Sequence, residues 1–214
     1  MMKIKKILSI PRSLYYNMRI LGRGGVKCPI LFSNNTKVII EKDAQIEVKN
    51  PQRFGIKIGF GGSDGIVEGL YSYLKVGKKA ALIFEGTAEI ARGSSVRIDG
   101  GTLYIGNNFS CNKNCFISCN ENVEIGSDVL LGWNIAIRDG DGHTVYPQNS
   151  NSHSIKIGDN VWIASFVHIM KGVCIPNGSV IGYGSLCTRK FSEENTLIVG
   201  CPAGVKKENI RWER

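Results

Sequence analysis

Asp141 and His143 are the two side chains whose types and spacing best suit proton transfer. They lie two residues apart in the polar segment RDGDGHTVYPQNSNSHS, residues 138–154. A neutral imidazole accepts a proton on one nitrogen while a carboxylate or carbonyl holds the other, and its ordinary pKa lies near neutrality. A protonated alcohol attacks a thioester poorly, so a base of this kind suits acyl transfer to a hydroxyl. We therefore predict that His143 is a general base; the alternative is an idle surface histidine.

Three cysteines at a spacing of four residues, Cys111, Cys115 and Cys119, raise the alternative of a metal site. Cys111 and Cys115 fall on positions of a sequence repeat that we predict to face inward, where a free cysteine behaves as a small apolar residue. The pattern therefore favours core cysteines over metal ligands, and no metal is expected.

A doublet of apolar residues two positions apart recurs along most of the chain and predicts the elements that position these groups. From Leu103 to Val173 the doublets follow one another at steps of 6, 6, 8, 6, 6, 20, 6, 6 and 6 residues. Residues two apart share one side of a strand, and glycine and asparagine between the doublets suit sharp corners. The repeat predicts coils of three short strands, each coil 18 residues long, stacked into a parallel β-helix.

The 20-residue step contains one ordinary six-residue step and a 14-residue insertion, which lies within residues 138–154 with His143 near its start. Polar loops on rigid scaffolds commonly carry function. The predicted boundaries are an N-terminal arm, residues 1–30, with a short helix at 11–22; a β-helix, residues 31–191; and a C-terminal cap, residues 192–214, with a short helix. Solenoids need capped ends, which gives both terminal segments a structural reason to exist.

Charge is concentrated at the N-terminus. The chain has 27 basic and 18 acidic residues, a net charge of +9, but residues 1–27 hold seven basic residues and no acidic one. The body therefore lacks the basic surface of a nucleic-acid binder. We favour an arm that packs on its own domain, and contact with anionic lipid or polyanionic glycan at the inner face of the membrane stays open. Scattered cysteines, with no long apolar run and no signal peptide, predict a cytoplasmic protein.

Several motifs resemble those of the hexapeptide-repeat acyltransferases, and of their sugar and capsular-polysaccharide O-acetyltransferases in particular. The motifs are Asp141-Gly142-His143, Val161-Trp162-Ile163-Ala164, Val180-Ile181-Gly182-Tyr183-Gly184-Ser185, Thr188-Arg189-Lys190 and Cys201-Pro202-Ala203. The resemblance covers about residues 100–210. It implies a left-handed parallel β-helix, an exception to the right-handed crossover rule. The repeat by itself leaves a right-handed β-solenoid open.

The resemblance also implies roles for individual residues. His143 would be the general base and Asp141 would orient it. The other implied contacts are Trp162 beside the acetyl-thioester arm, Ala164, Gly182 and Tyr183 along the pantetheine, Thr188, Arg189 and Lys207 at the nucleotide end of coenzyme A, and Asn112 at the acceptor. Asn120 stands where the galactoside branch has an acceptor-contacting aspartate, which puts a galactoside acceptor in doubt.

These observations predict an acetyltransferase that moves an acetyl group from acetyl-CoA to a sugar hydroxyl in surface polysaccharide biosynthesis. Transfer would be direct, because no serine or cysteine is visibly paired with His143. The resemblance implies a homotrimer that binds acetyl-CoA between neighbouring chains. The open alternatives are an N-acetyltransferase acting on an amino-sugar nucleotide, a non-catalytic glycan-binding β-solenoid, and a zinc enzyme using the three histidines.

Overall fold

The computed structural model describes residues 2–64, 71–143, 146 and 152–214. Strands dominate it, because short apolar doublets are separated by corners that glycine and asparagine tolerate. The strands are β1 Ile30–Phe32, β2 Thr36–Ile40, β3 Gln45–Val48, β4 Ile56–Ile58, β5 Ser72–Val76, β6 Ala81–Phe84, β7 Ala88–Ile90, β8 Ser95–Ile98, β9 Thr102–Ile105, β10 Phe109–Cys111, β11 Phe116–Cys119, β12 Asn122–Ile125, β13 Leu130–Leu131, β14 Ala136–Arg138, β15 Ile155–Ile157, β16 Trp162–Ile163, β17 His168–Ile169, β18 Cys174–Ile175, β19 Val180–Ile181, β20 Leu186–Cys187, β21 Leu197–Gly200 and β22 Ala203–Lys207.

These strands form the three faces of a prism. Face 1 has the order β1-β4-β7-β10-β13-β16-β19-β21-β22, face 2 has β2-β5-β8-β11-β14-β17-β20, and face 3 has β3-β6-β9-β12-β15-β18. Up to β20 every third strand therefore returns to the same face, and up to β21 each strand pairs in parallel with its neighbours. The predicted parallel β-helix is confirmed. We call the corners where the chain passes between faces edge 1–2, edge 2–3 and edge 3–1.

The interior of the prism is filled by the doublet residues. Val161, Ile163 and Ile181 are fully buried, whereas Trp162, between the first two, points outward. Cys111 and Cys115 also lie in this core, as the repeat predicts. Alternation of this kind follows from the period of two along a strand.

The predicted 18-residue coil holds only for the last turns. Trp162 pairs with Val180, 18 residues on, but Ser110 pairs with Leu130, 20 residues on. In the earlier coils the two extra residues lie on edge 2–3, between faces 2 and 3. The same edge carries the long insertion between β14 and β15.

Two helices and a short 3-10 helix close the N-terminal end: α1 Met2–Leu8, α2 Ile10–Leu21 and the 3-10 helix Gly22–Lys27. None of the described helices is both long enough and apolar enough to cross a membrane. The Tyr16 ring of α2 packs 5.5 Å from the Phe32 ring of β1, and the α2 side chains that hydrogen-bond to β1 are polar. Ser13 Oγ accepts a hydrogen bond from Phe32 N at 2.9 Å, and Asn17 Oδ1 accepts one from Ile30 N at 3.0 Å. These bonds satisfy the open edge of β1, so the arm packs on its own domain.

The C-terminal cap is not helical, and the predicted short helix there is wrong. The chain reverses at Gly200 and β22 pairs antiparallel with β21, which uses the free hydrogen-bonding edge of face 1. Residues 208–214 then run back along edge 3–1. Trp212 Nε1 donates to Asn160 O at 2.8 Å, and Arg214 Nη1 donates to Asn108 O at 3.1 Å. These backbone partners on distant coils favour an extended tail over a helix.

Candidate active site

The root of the insertion on edge 2–3 is clamped at both ends. Gly140 and Ser152 form an isolated antiparallel bridge. The N–H of His153 donates to Asp139 O at 2.8 Å, and the N–H of Gly172 donates to His153 O at 3.0 Å. Residues 144, 145 and 147–151 of the predicted insertion lie outside the described residues. The clamp fixes the point at which the loop leaves the rigid wall, next to His143.

Asp139 anchors the near end of this root. Its carboxylate is completely buried. It accepts hydrogen bonds from the backbone N–H groups of Asn120 and Glu121, both at 2.8 Å, and of Asn122 at 3.0 Å. Three charge-assisted bonds to one carboxylate hold edge 2–3 of two successive coils together. Burial, together with the negative charge of Asp139, raises the pKa of the neighbouring Cys119 thiol to about 12.

Glu121 anchors the far end from the same edge. Its carboxylate oxygens accept hydrogen bonds from Ser154 Oγ at 2.9 Å and Ser152 Oγ at 3.0 Å. These hydroxyl donors favour the ionised carboxylate and lower the pKa of Glu121. Two carboxylates on edge 2–3 therefore hold the two ends of one loop.

His143 is exposed and lies three residues beyond the Gly140 bridge. Asp141, predicted to orient it, instead receives Lys171 Nζ on its Oδ2 at 2.5 Å, and no hydrogen bond joins Asp141 to His143 in the described part of the chain. Arg138 adds a second cation: its Nη2 reaches Asp141 O at 3.5 Å. The site at the root thus combines an accessible imidazole with fixed charges of both signs.

Three of the residues predicted to contact the donor lie on a different corner. Ala164, Gly182 and Tyr183 stand on edge 1–2, and so does Asn112, the predicted acceptor contact. Tyr183 is 68% exposed and its ring lies 5.3 Å from that of Phe166. Trp162 projects from face 1 close by and is 40% exposed. Edge 1–2 therefore presents a row of exposed aromatic rings beside a small-residue corner.

Trp162 also has a partner that the sequence did not suggest. The indole ring of Trp212, in the C-terminal tail, lies 6.1 Å from its ring. Asn112 is likewise in contact: its Nδ2 donates to Ser63 Oγ at 2.7 Å. Both predicted contacts are thus partly covered by other segments of the same chain.

The predicted nucleotide contacts gather at the C-terminal end of the prism. Thr188 and Arg189 follow β20, and Lys207 ends β22; all three are exposed. The Arg189 guanidinium lies 5.5 Å from the Phe191 ring centroid, and its Nη2 lies within 3.3 Å of the point where a Cβ on Gly204 would stand. Arg189 therefore packs against the β21–β22 hairpin.

One chain does not bring all of these residues together. His143 and Asp141 lie on edge 2–3, whereas Asn112, Ala164, Gly182 and Tyr183 lie on edge 1–2. Face 2 separates the two edges by about six residues, or roughly 20 Å at the rise of an extended strand. The two groups can share a site only if edge 1–2 of one chain meets edge 2–3 of another.

Some residues at the root escaped the sequence analysis. Lys171, Glu121 and Asp139 belong to none of the motifs that the sequence offered. Over the described ranges, no three His, Cys, Asp or Glu side chains are grouped so as to hold a metal ion.

Comparisons with known proteins identify relatives of this chain. The profile of the family described as bacterial transferase hexapeptide (six repeats) matches residues 154–189. The galactoside O-acetyltransferase of Escherichia coli K12 is 35% identical over 144 residues, 63% of this chain and 70% of that protein. An E. coli K12 protein provisionally named lipopolysaccharide biosynthesis O-acetyl transferase WbbJ is 30% identical over 142 residues, 57% of this chain and 72% of that protein.

A solved structure supports the fold. The polysialic acid O-acetyltransferase OatWY superimposes with a TM-score of 0.53 at 24% identity, over 86% of this chain and 90% of that one. This likeness concerns the architecture of the stacked coils alone. Together with the sequence matches, it shows that the chain belongs to the hexapeptide-repeat acetyltransferase family and has its left-handed parallel β-helix.

Proposed function

We propose that this protein transfers the acetyl group of acetyl-CoA to a hydroxyl of a sugar in surface polysaccharide biosynthesis. The observation that carries the proposal is the placement of His143, exposed, at the clamped root of the insertion on edge 2–3. Two relatives are named for O-acetyl transfer, one to galactosides and one in lipopolysaccharide biosynthesis. Such a reaction needs a base that is accessible to a hydroxyl and held in a fixed place.

The proposed site lies between two chains of a cyclic homotrimer. Edge 2–3 of one chain supplies His143, and edge 1–2 of its neighbour supplies Tyr183, Gly182, Ala164 and Asn112. A heterologous contact between two different edges closes into a ring when the rotation is one third of a turn. The triangular section of the prism and the exposed aromatic row on edge 1–2 support this arrangement.

The exposed residues near edge 1–2 suit acetyl-CoA. Trp162 and Tyr183 offer apolar surface to the thioester arm, while Arg189 and Lys207 offer cations to the phosphates at the C-terminal end. A donor bound along the edge would meet Trp162 where Trp212 now lies. We infer that the tail shifts when the donor binds.

In the proposed reaction one imidazole nitrogen of His143 takes the proton of the acceptor hydroxyl as its oxygen bonds to the acetyl carbon. The carbon–sulfur bond breaks, and the imidazolium returns the proton to the departing sulfur. Atoms and charge balance without a covalent enzyme intermediate. Asp141 and Lys171 hold the root from which His143 projects. The cytoplasm is the compartment that supplies acetyl-CoA to this site.

Subunit complementation tests the site and the chemistry together. His143→Ala removes the proposed base from edge 2–3. Tyr183→Asp puts a negative charge among the proposed donor contacts on edge 1–2. Each variant is expected to lose turnover with galactosides or polysaccharide fragments as acceptors. Trimers co-assembled at equal ratio should regain about one quarter of the wild-type sites, since each site needs one intact edge from each variant.

The control mixes His143→Ala with His143→Asn, both defective on edge 2–3, and should regain nothing. A mixture of His143→Ala and Tyr183→Asp that stays inactive contradicts the shared site. Full turnover by His143→Ala alone contradicts the proposed base. A monomer in light scattering contradicts the trimer.

A further inference from the structure

The N-terminal helices carry an exposed apolar stripe. It consists of Ile4, Ile7, Leu8, Pro11, Leu14, Tyr15 and Met18. Their spacing of three, one, three, three, one and three residues is that of one face of a helix, and it continues across the junction between α1 and α2. The stripe runs most of the length of residues 2–21, which is about 30 Å at the helical rise.

The apolar stripe is not the side of these helices that packs on the β-helix. The packed side carries Ser9, Ser13 and Asn17, all fully buried, with the partly buried Tyr16 and Ile20 beside them. The six non-proline members of the stripe are between 39% and 65% exposed. Amphipathic helices of globular domains normally turn their apolar face to the core. The packed side of the helices is already occupied by the β-helix. The apolar stripe therefore has no binding partner among the described residues of this chain.

Positive charge surrounds the stripe. Lys5 and Arg19 lie on α1 and α2, and Arg23 and Lys27 follow in the 3-10 helix; all four are exposed. The first acidic residue of the chain is Glu41. A contiguous apolar face flanked by cations, on helices that contain no acidic residue, is the pattern of a helix that lies in the interface of an anionic bilayer.

We propose that the N-terminal helices dock on the surface of an anionic lipid bilayer, with the apolar stripe inserted at the headgroup–acyl boundary and the cations on the phosphates. The charge argues against a second copy, because a two-fold contact along the stripe would set the same cations opposite one another. This inference goes beyond the proposed function and is independent of it. It would hold an acetyltransferase next to lipid-linked glycans.

Vesicle co-sedimentation with the full-length protein tests the proposal. The probes are phosphatidylcholine vesicles with and without about 30% phosphatidylglycerol. Binding is expected to the anionic vesicles and to weaken at least ~5-fold from about 0.1 M to about 0.5 M salt, as screening predicts. Ile7→Gln/Leu14→Gln/Met18→Gln removes apolar surface without changing charge and should weaken binding at least ~10-fold.

Matched single variants locate the surface. Tyr15→Gln, on the stripe, should weaken binding ~2- to 5-fold, whereas Tyr71→Gln, an equally exposed tyrosine outside the arm, should leave it unchanged. A matched charge pair is Lys5→Gln/Arg19→Gln/Arg23→Gln against Lys42→Gln/Lys78→Gln/Lys79→Gln, which removes three exposed lysines from coil corners. The first member should weaken binding and the second should not. Turnover on a soluble acceptor should be unaffected in all of these variants.

Three outcomes overturn the proposal. The first is failure of the wild-type protein to bind anionic vesicles. The second is undiminished binding by the triple stripe variant with its fold intact by circular dichroism. The third is a smaller particle mass for that variant in light scattering, which would show that the stripe is covered by another copy. Loss of acetyl transfer with binding preserved would count against the proposed function alone.

Discussion

Edge 2–3 and edge 1–2 of the same prism are built differently. Edge 2–3 is long, irregular and charged: it carries the two extra residues of the early coils, the long insertion, and Asp139, Asp141 and Lys171. Edge 1–2, over its last coils, has short corners at the strict six-residue period, with small residues and exposed aromatic rings. One corner is built to hold charge in place and the other to present a regular surface.

The difference shows that two edges of one repetitive scaffold can take different roles. A regular corner repeats the same backbone donors and acceptors at every coil, which suits a long, extended ligand. An irregular corner breaks the repeat and leaves backbone N–H groups that a carboxylate such as Asp139 can bind. Removing groups from one edge at a time should therefore separate chemistry from donor binding.

The largest effect is expected at the edge that holds the proposed base. His143→Ala should lower turnover by about 10²-fold or more, the range that a general base supplies. Donor affinity should stay close to the wild-type value, because His143 is not among the proposed donor contacts. Steady-state kinetics and calorimetry with coenzyme A measure the two quantities. His153→Ala and His168→Ala are the matched controls; if either of them abolishes turnover while His143→Ala does not, the base is assigned to the wrong histidine.

The next effect concerns the buried anchor of the same edge. Asp139→Asn replaces one accepting oxygen by a donor that faces backbone N–H groups, so unfolding should become easier by about 1–3 kcal/mol. Turnover should fall about 10-fold as the root of the loop shifts. Urea denaturation and kinetics provide the measurements. Asp99→Asn, on the same edge but partly exposed, is the control and should cost less than ~1 kcal/mol. Equal losses for the two variants would remove the special role of Asp139.

On edge 1–2 a smaller effect is expected. A Cβ on Gly182 would stand 2.4 Å from Val199 Cγ1, so Gly182→Ala should push β21 away and cost about 1 kcal/mol. The KM for acetyl-CoA should rise about 3-fold with little change in kcat, since uniform binding is what is lost. Gly24→Ala, with open space around it, serves as the control. A change confined to kcat would place chemistry on edge 1–2.

The smallest effect is a pH dependence at the far end of the loop. The folded pKa of Glu121 is lowered, chiefly by its hydrogen bonds from Ser154 and Ser152. The stabilisation is therefore present above the ordinary carboxyl pKa and is lost as the pH falls through the folded value. The stability difference between wild type and Glu121→Gln should shrink between pH 6 and pH 3 in urea denaturation. It should be small, because this carboxylate is largely exposed. If the stability difference between the two proteins grew on acidification, the predicted direction of the pH dependence would be wrong.

The repeat made the body of the fold predictable, because each doublet carries its own inward direction. Val161 and Ile163 are buried and Trp162 is outward, as a period of two requires. The position of the insertion was equally readable as a broken step. The anchors were not readable in the same way: Asp139 binds backbone N–H groups on the preceding coil, and Lys171 reaches Asp141 from the next one. Because the partners of Asp139 and Lys171 are backbone groups or a charged side chain, these contacts leave no apolar periodicity in the sequence.

The ends of the solenoid were the least predictable part. Periodicity located α2, but it did not show that Ser13 and Asn17 would be buried beside Tyr16 and Ile20, because the open edge of β1 needs hydrogen bonds as well as apolar cover. At the other end, the open edge of β21 takes a strand for the same reason. An end is shaped by the backbone groups that the last coil leaves unpaired, and no sequence period encodes them.

The C-terminal tail makes this β-helix differ from a solenoid whose coils contact only their neighbours. A stack whose coils touch only their neighbours can lose its last coil alone, and its unfolding spreads from the end as a series of nearly independent steps. Here the chain returns along edge 3–1 and meets Asn195, Asn160 and Asn108 in turn. Arg214 thereby touches a residue 106 positions earlier. We therefore expect fraying of the terminal coil to be coupled to the middle of the prism, and the two halves to unfold in one cooperative transition.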